Sequence, residues 1–251
     1  MSTLRVLELR HAECESLGAY RAGLDGVATV TTVRVWRDAL PPDPAEYDAI
    51  IVMGGPMGAN DGRDIPWIDD EIAFLAQALD LGIPIWGVCL GSQLLARALG
   101  ARVTTGPLGE IGVGPVTLTE AAHTDSVWSA SADHEFPAMH WHYDTFDIPE
   151  GGVRLATSAV YENQVFRHGL SYGVQCHLEV DVALLRDWLE VAEYRDELVE
   201  ALGPDAPAST LADVSRSESI TAPLAARLIR RWIALIVSST QRDSTSVGVD
   251  M

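Results

Sequence analysis

Ile83-Pro84-Ile85-Trp86-Gly87-Val88-Cys89-Leu90-Gly91-Ser92-Gln93 is an apolar run that ends in Gly-x-Cys-x-Gly and passes into a helix-like segment. The apolar part reads as a strand buried on both faces. The Gly-x-Cys-x-Gly that follows is the cysteine version of a nucleophile elbow, a sharp strand-to-helix turn that projects one side chain. Such a turn strains the central residue and needs small neighbours two positions away on either side. The helix that starts there favours negative charge on the sulfur through its dipole. It also leaves the Leu90 N–H free to bind an oxyanion. A small buried cysteine in a strand-turn-helix core is the ordinary alternative. Glycines on both sides at elbow spacing argue against it.

The same strand-then-helix grammar extends in both directions. Residues 4–9 and 27–36 read as strands, with a helix-like stretch at 14–22 between them. Ala49-Ile50-Ile51-Val52-Met53 is a short apolar strand that stops at Gly54-Gly55-Pro56. Residues 67–81 carry apolar side chains at helical spacing and end at Gly82 and Pro84. A short helix over 92–99 closes at Gly100. This alternation predicts an open, mostly parallel α/β sheet flanked by helices. Residues 101–160 are rich in Thr, Gly and alternating Val and Leu, and read as a small antiparallel β excursion. A strand over 170–180 and a helix over 181–199 complete the main domain, taken as 1–200. Residues 201–237 read as a linker through Gly203-Pro204-Asp205-Ala206-Pro207 and an apolar helix from 222 packing on that domain. The Ser/Thr-rich stretch 238–251 reads as a disordered tail.

A catalytic cysteine needs a base and a group to hold the imidazole. Gln175-Cys176-His177-Leu178-Glu179 supplies both. Residues two apart on a strand share a face, so His177 can take the thiol proton while Glu179 holds the far ring nitrogen. In an open α/β sheet the loops at the strand C-termini form the crevice. The loop at Gly54-Gly55-Pro56 therefore shares an edge with the elbow, and the Gly55 N–H is the second candidate oxyanion donor.

Composition narrows the chemistry. All 17 basic side chains are Arg, and the 251 residues include no lysine. That excludes a Schiff-base lysine, the lysine-containing phosphate loop and the kinase-type strand lysine. Net charge is −19 and the pI about 4.5, so nucleic acid and anionic membranes are poor partners. No run approaches the length of a membrane span, and residues 1–10 lack the pattern of a secretory leader. Three isolated cysteines, Cys14, Cys89 and Cys176, point to a reduced, cytoplasmic chain without a disulfide framework.

Gly54-Gly55-Pro56, then Gly87-Val88-Cys89-Leu90-Gly91-Ser92-Gln93, then His177-Leu178-Glu179 resemble the motifs of the class I (Cys-His-Glu) glutamine amidotransferases, over residues 4–189. Stand-alone relatives of the GMP synthetase glutaminase domain are the nearest likeness. His140-Trp141-His142-Tyr143-Asp144-Thr145-Phe146 looks like the His-Gly-Asp segment of that subgroup, and Asn163-Gln164-Val165-Phe166 like its Asn-Gln-Ala-Phe segment. The resemblance implies a flavodoxin-like fold and hydrolysis of the glutamine side-chain amide, with no cofactor. In that reading Cys89 attacks the amide carbon, His177 is base then acid, and Gly55 and Leu90 hold the oxyanion. Gln93, His142, Tyr143 and Asp144 fall at substrate-binding positions.

Two features depart from the family pattern. Cys176 and Leu178 stand where Phe and Pro usually flank the His, and Tyr143 replaces a Gly. The first removes a rigid φ but neither the acid nor the base. The second puts the substrate in question more than the chemistry. The resemblance therefore leaves three readings open. One is a glutaminase whose ammonia goes to a synthetase or acceptor on another chain. Another is a γ-glutamyl peptidase or hydrolase using the same cysteine. The third is a non-catalytic binding or regulatory protein on the same fold. His140 and His142 share a strand face and could ligate a metal; the next acid is Asp144, but no third soft ligand lies nearby in sequence, so no metal is expected. Asp69, Asp70 and Glu71 read as a helix-start charge complement. Arg227, Arg230 and Arg231 read as a solvated helix face.

Overall fold

A computed structural model describes residues 3–131 and 133–246, with side chains to residue 239. The strands are β1 (Leu4–Arg10), β2 (Ala28–Arg34), β3 (Ala49–Val52), β4 (Ile85–Val88), β5 (Val103–Leu118), β6 (Glu135–Phe146), β7 (Val153–Thr157), β8 (Val165–His168) and β9 (Ser171–Val174). The helices are α1 (Arg21–Leu24), α2 (Trp67–Asp80), α3 (Leu90–Ala98), α4 (Glu120–Thr124), α5 (Val182–Glu190), α6 (Ala192–Leu202) and α7 (Ala206–Ser246).

All nine strands form one sheet in the order β2-β1-β3-β4-β9-β8-β7-β5-β6. The first five positions pair in parallel. Numbered among themselves they run 2-1-3-4-5, the flavodoxin-like order, with its switch point between β1 and β3. From β9 outward every pairing is antiparallel. The expected β excursion is therefore continuous with the parallel part and supplies three of the nine strands, β5, β6 and β7, of one mixed sheet.

The apolar runs of β1, β3 and β4 are continuous because both faces are covered. Val6, Ile51, Trp86 and Val88 face a cluster completed by Leu228, Ile229 and Trp232 of α7. Leu7, Leu9, Ile50 and Ile85 face Leu75 of α2 and Leu94 of α3. A third cluster joins Met139 and Trp141 of β6 to Trp188 of α5 and Leu198 of α6. No helix among the described residues is long and apolar enough to cross a membrane.

Several segments differ from the sequence reading. The strand expected over 170–180 stops at Val174, and His177 is joined to β6 by a single bridge to Met139. The helix expected over 181–199 is two, broken at Val191. The C-terminal helix begins at Ala206 rather than 222 and accommodates Pro223. It continues through Ser246, across much of the expected tail, and residues 247–251 lie outside the described residues. Arg230 and Arg231 do not form a bare solvated face. Arg230 donates to the carbonyls of Ala22 and Asp25, and Arg231 to the Ser126 carbonyl and to Ser129 Oγ, which clamps α7 to the body.

Candidate active site

Four loops at the C-terminal edge of the parallel strands meet at one place, as the switch-point geometry requires. They follow β1 (His11 to Glu15), β3 (Met53 to Gly55), β4 (Cys89) and β9 (Gln175 to Glu179).

Cys89 caps α3 with φ 48° and ψ −109°. It is the sole non-glycine residue with positive φ among the described residues. The flanking glycines are required by contact as well as by strain. A Cβ on Gly87 would lie 2.4 Å from the Gly91 carbonyl oxygen, and one on Gly91 would lie 2.1 Å from that of Val52. The backbone is held by Cys89 N–H donating to the Val174 carbonyl at 2.8 Å and by Ser92 Oγ donating to the Cys89 carbonyl at 2.7 Å. The sulfur is buried, 3.8 Å from the Trp141 carbonyl and 3.5 Å from Gln175 Nε2.

His177 Nδ1 lies 2.6 Å from Glu179 Oε1, and both side chains are buried. The strand argument for their shared face does not hold, since this segment is irregular. The two-way backbone bridge of His177 to Met139 fixes the imidazole instead, and Ala19 N–H donates to the Glu179 carbonyl. The edge of His177 packs on Trp188 at 5.0 Å between ring centroids. Burial alone would push the imidazole pKa down. The Glu179 carboxylate and the Cys89 sulfur outweigh it and hold His177 well above the ordinary histidine value. His177 is thus disposed to carry a proton beside Cys89.

Gly55 follows a carbonyl that is itself held. His11 Nδ1 donates to the Gly54 carbonyl at 2.9 Å, while its Nε2 lies 3.0 Å from Glu71 Oε2. Burial would lower the His11 pKa, but Glu71 and the Gly54 carbonyl raise it overall. In a trans peptide the C=O and the next N–H point in opposite directions. Fixing the Gly54 carbonyl therefore fixes the Gly55 N–H. Neither Gly55 nor Leu90 N–H is taken by a backbone acceptor among the described residues. Glu71 is accordingly buried behind this loop and does more than complement the start of α2.

Gly55, Cys89, Leu90, Gln93 and His177 line one pocket of about 180 Å³ together with His142, Tyr143 and Asp144; Glu179 stands behind His177. Gln93 Nε2 donates to Gln175 Oε1, which ties it to the amide beside the cysteine sulfur. Tyr143 is 42% exposed and lies against Gly109. The His142 ring nitrogens are engaged by the Asp144 carbonyl and Glu110 Oε2.

Glu15 was not legible as a site residue. Its Oε1 accepts from the Tyr194 hydroxyl at 2.8 Å, and its Oε2 has no hydrogen-bond partner among the described residues. A Cβ on Gly54 would lie 2.2 Å from that oxygen and 3.2 Å from His177 Cε1. Burial raises the Glu15 pKa, and His177 and Tyr194 pull it back in part. No local pattern marks this acid; the fold of the loop after β1 brings it in.

The glutamine amidotransferase class-I family profile matches residues 20–186. The glutamine amidotransferase-like protein YfeJ of Salmonella typhimurium is 34% identical over 206 residues, 80% of this chain and 85% of that protein. The matching component of the glutamine-hydrolysing GMP synthase of Natronomonas pharaonis is 33% identical over 152 residues, 56% of this chain and 70% of that one. Among solved structures, a glutamine amidotransferase of Thermotoga maritima superposes with a TM-score of 0.83 at 31% identity, covering 93% of this chain and 99% of that one. A glutamine amidotransferase of Methylobacillus flagellatus does so with a TM-score of 0.83 at 30% identity, covering 93% and 95%.

Proposed function

This chain belongs to the class-I glutamine amidotransferase family, and we propose that it is a cytoplasmic enzyme that hydrolyses the side-chain amide of glutamine through a Cys89 thioester. The observation that carries the reading is the convergence on one pocket of a strained, helix-capping Cys89, the buried His177–Glu179 pair and the N–H groups of Gly55 and Leu90.

His177 takes the Cys89 proton and Sγ attacks the amide carbon. The developing oxyanion is received by Gly55 and Leu90 N–H. The C–N bond breaks as His177 returns the proton to the leaving nitrogen, and ammonia departs. Water, deprotonated by His177, then attacks the thioester, and glutamate leaves as Cys89 recovers its proton. Glu179 holds the imidazole orientation and offsets its charge throughout. The likeness to a separate glutamine-hydrolysing component of GMP synthase supports delivery of the ammonia to a synthetase on another chain.

One observation favours a second reading, hydrolysis of a γ-glutamyl compound that carries an additional ammonium group. Glu15, Asp144 and Glu197 line the pocket, no Arg among the described residues does, and Tyr143 there is exposed. Three acidic side chains suit a γ-glutamyl amide of a diamine, whose leaving amine carries a second ammonium group, better than glutamine, whereas a γ-glutamyl peptide adds a carboxylate they would repel. Release of glutamate is compared for L-glutamine and a panel of γ-glutamyl amines and peptides, with Cys89→Ala as control. Turnover of glutamine supports the first reading, and turnover of γ-glutamyl compounds alone selects the second. Failure of every substrate, with no labelling of Cys89, overturns both and leaves a non-catalytic protein on this fold.

A further inference from the structure

The antiparallel register of β5 on β6 sets Glu110 opposite His142 and Gly112 opposite His140. Gly114 lies against the His140 ring, where a Cβ would sit 3.4 Å from its Cδ2, and three ligating side chains from two strands come together. Their donor atoms all lie within 4.8 Å of one another. His140 and His142 are buried, and the Glu110 side chain is 12% exposed.

The hydrogen bonds account for this cluster only in part: Gln164 Nε2 donates to Glu110 Oε2 at 2.6 Å and lies 3.5 Å from His142 Nε2. His142 Nδ1 lies 2.9 Å from the Asp144 carbonyl, which can only accept, so the proton of the neutral ring is on Nδ1. His142 Nε2 is then a lone pair, and it faces Glu110 Oε2 at 3.1 Å. Two acceptors at that distance repel unless a cation lies between them. Neither ring nitrogen of His140 makes a hydrogen bond among the described residues, yet Nδ1 lies 3.4 Å from the same Glu110 oxygen. Ligands at 2.0–2.2 Å around a tetrahedral ion are separated by about 3.3 Å. The two measured separations bracket that edge.

We infer that Glu110, His140 and His142 bind one divalent transition-metal ion of the zinc class. Two imidazoles and one carboxylate suit such an ion and not magnesium or calcium, which take oxygen donors. Gln164, whose Nε2 lies 2.6 Å from Glu110 Oε2, orients the carboxylate from outside.

The test is metal content after chelator stripping, reloading with Zn²⁺ and gel filtration, together with the visible spectrum of the Co²⁺-loaded protein. The expected result is about one equivalent in wild type and in Cys89→Ala, with a Co²⁺ spectrum lacking thiolate charge transfer. Glu110→Gln and His140→Ala should each weaken binding by roughly 10- to 100-fold or more. Should His140→Ala fail to fold, Glu110→Gln, which retains an oxygen for Gln164, carries the comparison. Two outcomes overturn the inference. One is no Zn²⁺ retained by wild type, which leaves a proton as the bridging cation. The other is binding that survives Glu110→Gln and disappears in Cys89→Ala, which places the ion on the pocket thiol.

Discussion

His177 Nδ1 and Glu179 Oε1 are 2.6 Å apart in a site from which both side chains exclude solvent. The pair couples activity to stability. Glu179→Gln keeps an acceptor near the ring but removes the charge that favours the imidazolium, so kcat should fall on the order of 10²–10⁴-fold. The sign of the pH effect follows from the raised His177 pKa. Its stabilisation is fully present below the unfolded value of about 6.5 and is lost as pH climbs through the folded value. Thermal unfolding from pH 6 to 9 should show wild-type stability declining across that window and a flatter profile in Glu179→Gln.

Gly55→Ala tests the proposed oxyanion loop. Its Cβ would meet His11 Cβ at 2.7 Å and Leu90 Cδ2 at 3.0 Å. The loop must shift, and the Gly55 N–H with it. Loss of one oxyanion donor predicts a drop in kcat of roughly 10²–10³-fold in a protein that still folds. Circular dichroism and steady-state kinetics on the same sample check this.

Glu71→Gln separates positioning from bulk packing. It weakens the hold on His11, and through the Gly54 carbonyl it loosens the direction of the Gly55 N–H. If that donor acts, as proposed, on charge formed in the transition state, kcat should fall about tenfold with KM nearly unchanged. An equal rise in KM would show that Glu71 serves substrate binding instead.

Much of this site can be read from sequence because its decisive parts are local. Gly87-Val88-Cys89-Leu90-Gly91 encodes its own turn, and both glycines are forced by backbone contacts. His177 and Glu179 do pair, although the expected strand stops at Val174 and continues at His177 only as one bridge to Met139. What escapes the sequence is brought together by distant packing. Glu15 arrives through the loop after β1, and Glu110 through a register that contains an irregularity between Thr105 and Glu110. No spacing rule spans the 32 residues from Glu110 to His142. The full length of α7 is hidden because Pro207 and Pro223 look like helix breaks, whereas the helix carries both.

Cys89→Gly measures the strain stored at the elbow. A non-glycine residue at this φ costs of order 1–3 kcal/mol, offset in part by the greater unfolded-state freedom of glycine. We expect no turnover and a stability gain of ~1 kcal/mol, or roughly 2–4 °C in Tm. Cys89→Ala keeps the strain, so it should lose turnover without that gain. Calorimetry of the two variants side by side checks the difference.

Covalent labelling tests the central claim most directly. The protein is treated with a glutamine-analogue electrophile and followed by intact mass and peptide mapping. One adduct on Cys89, slowed by excess L-glutamine and by Glu179→Gln and absent in Cys89→Ala, is the predicted result. It does not require a partner chain or turnover. No adduct at Cys89, or labelling of Cys14 or Cys176 at the same rate, would contradict a nucleophilic Cys89 in a glutamine-type pocket.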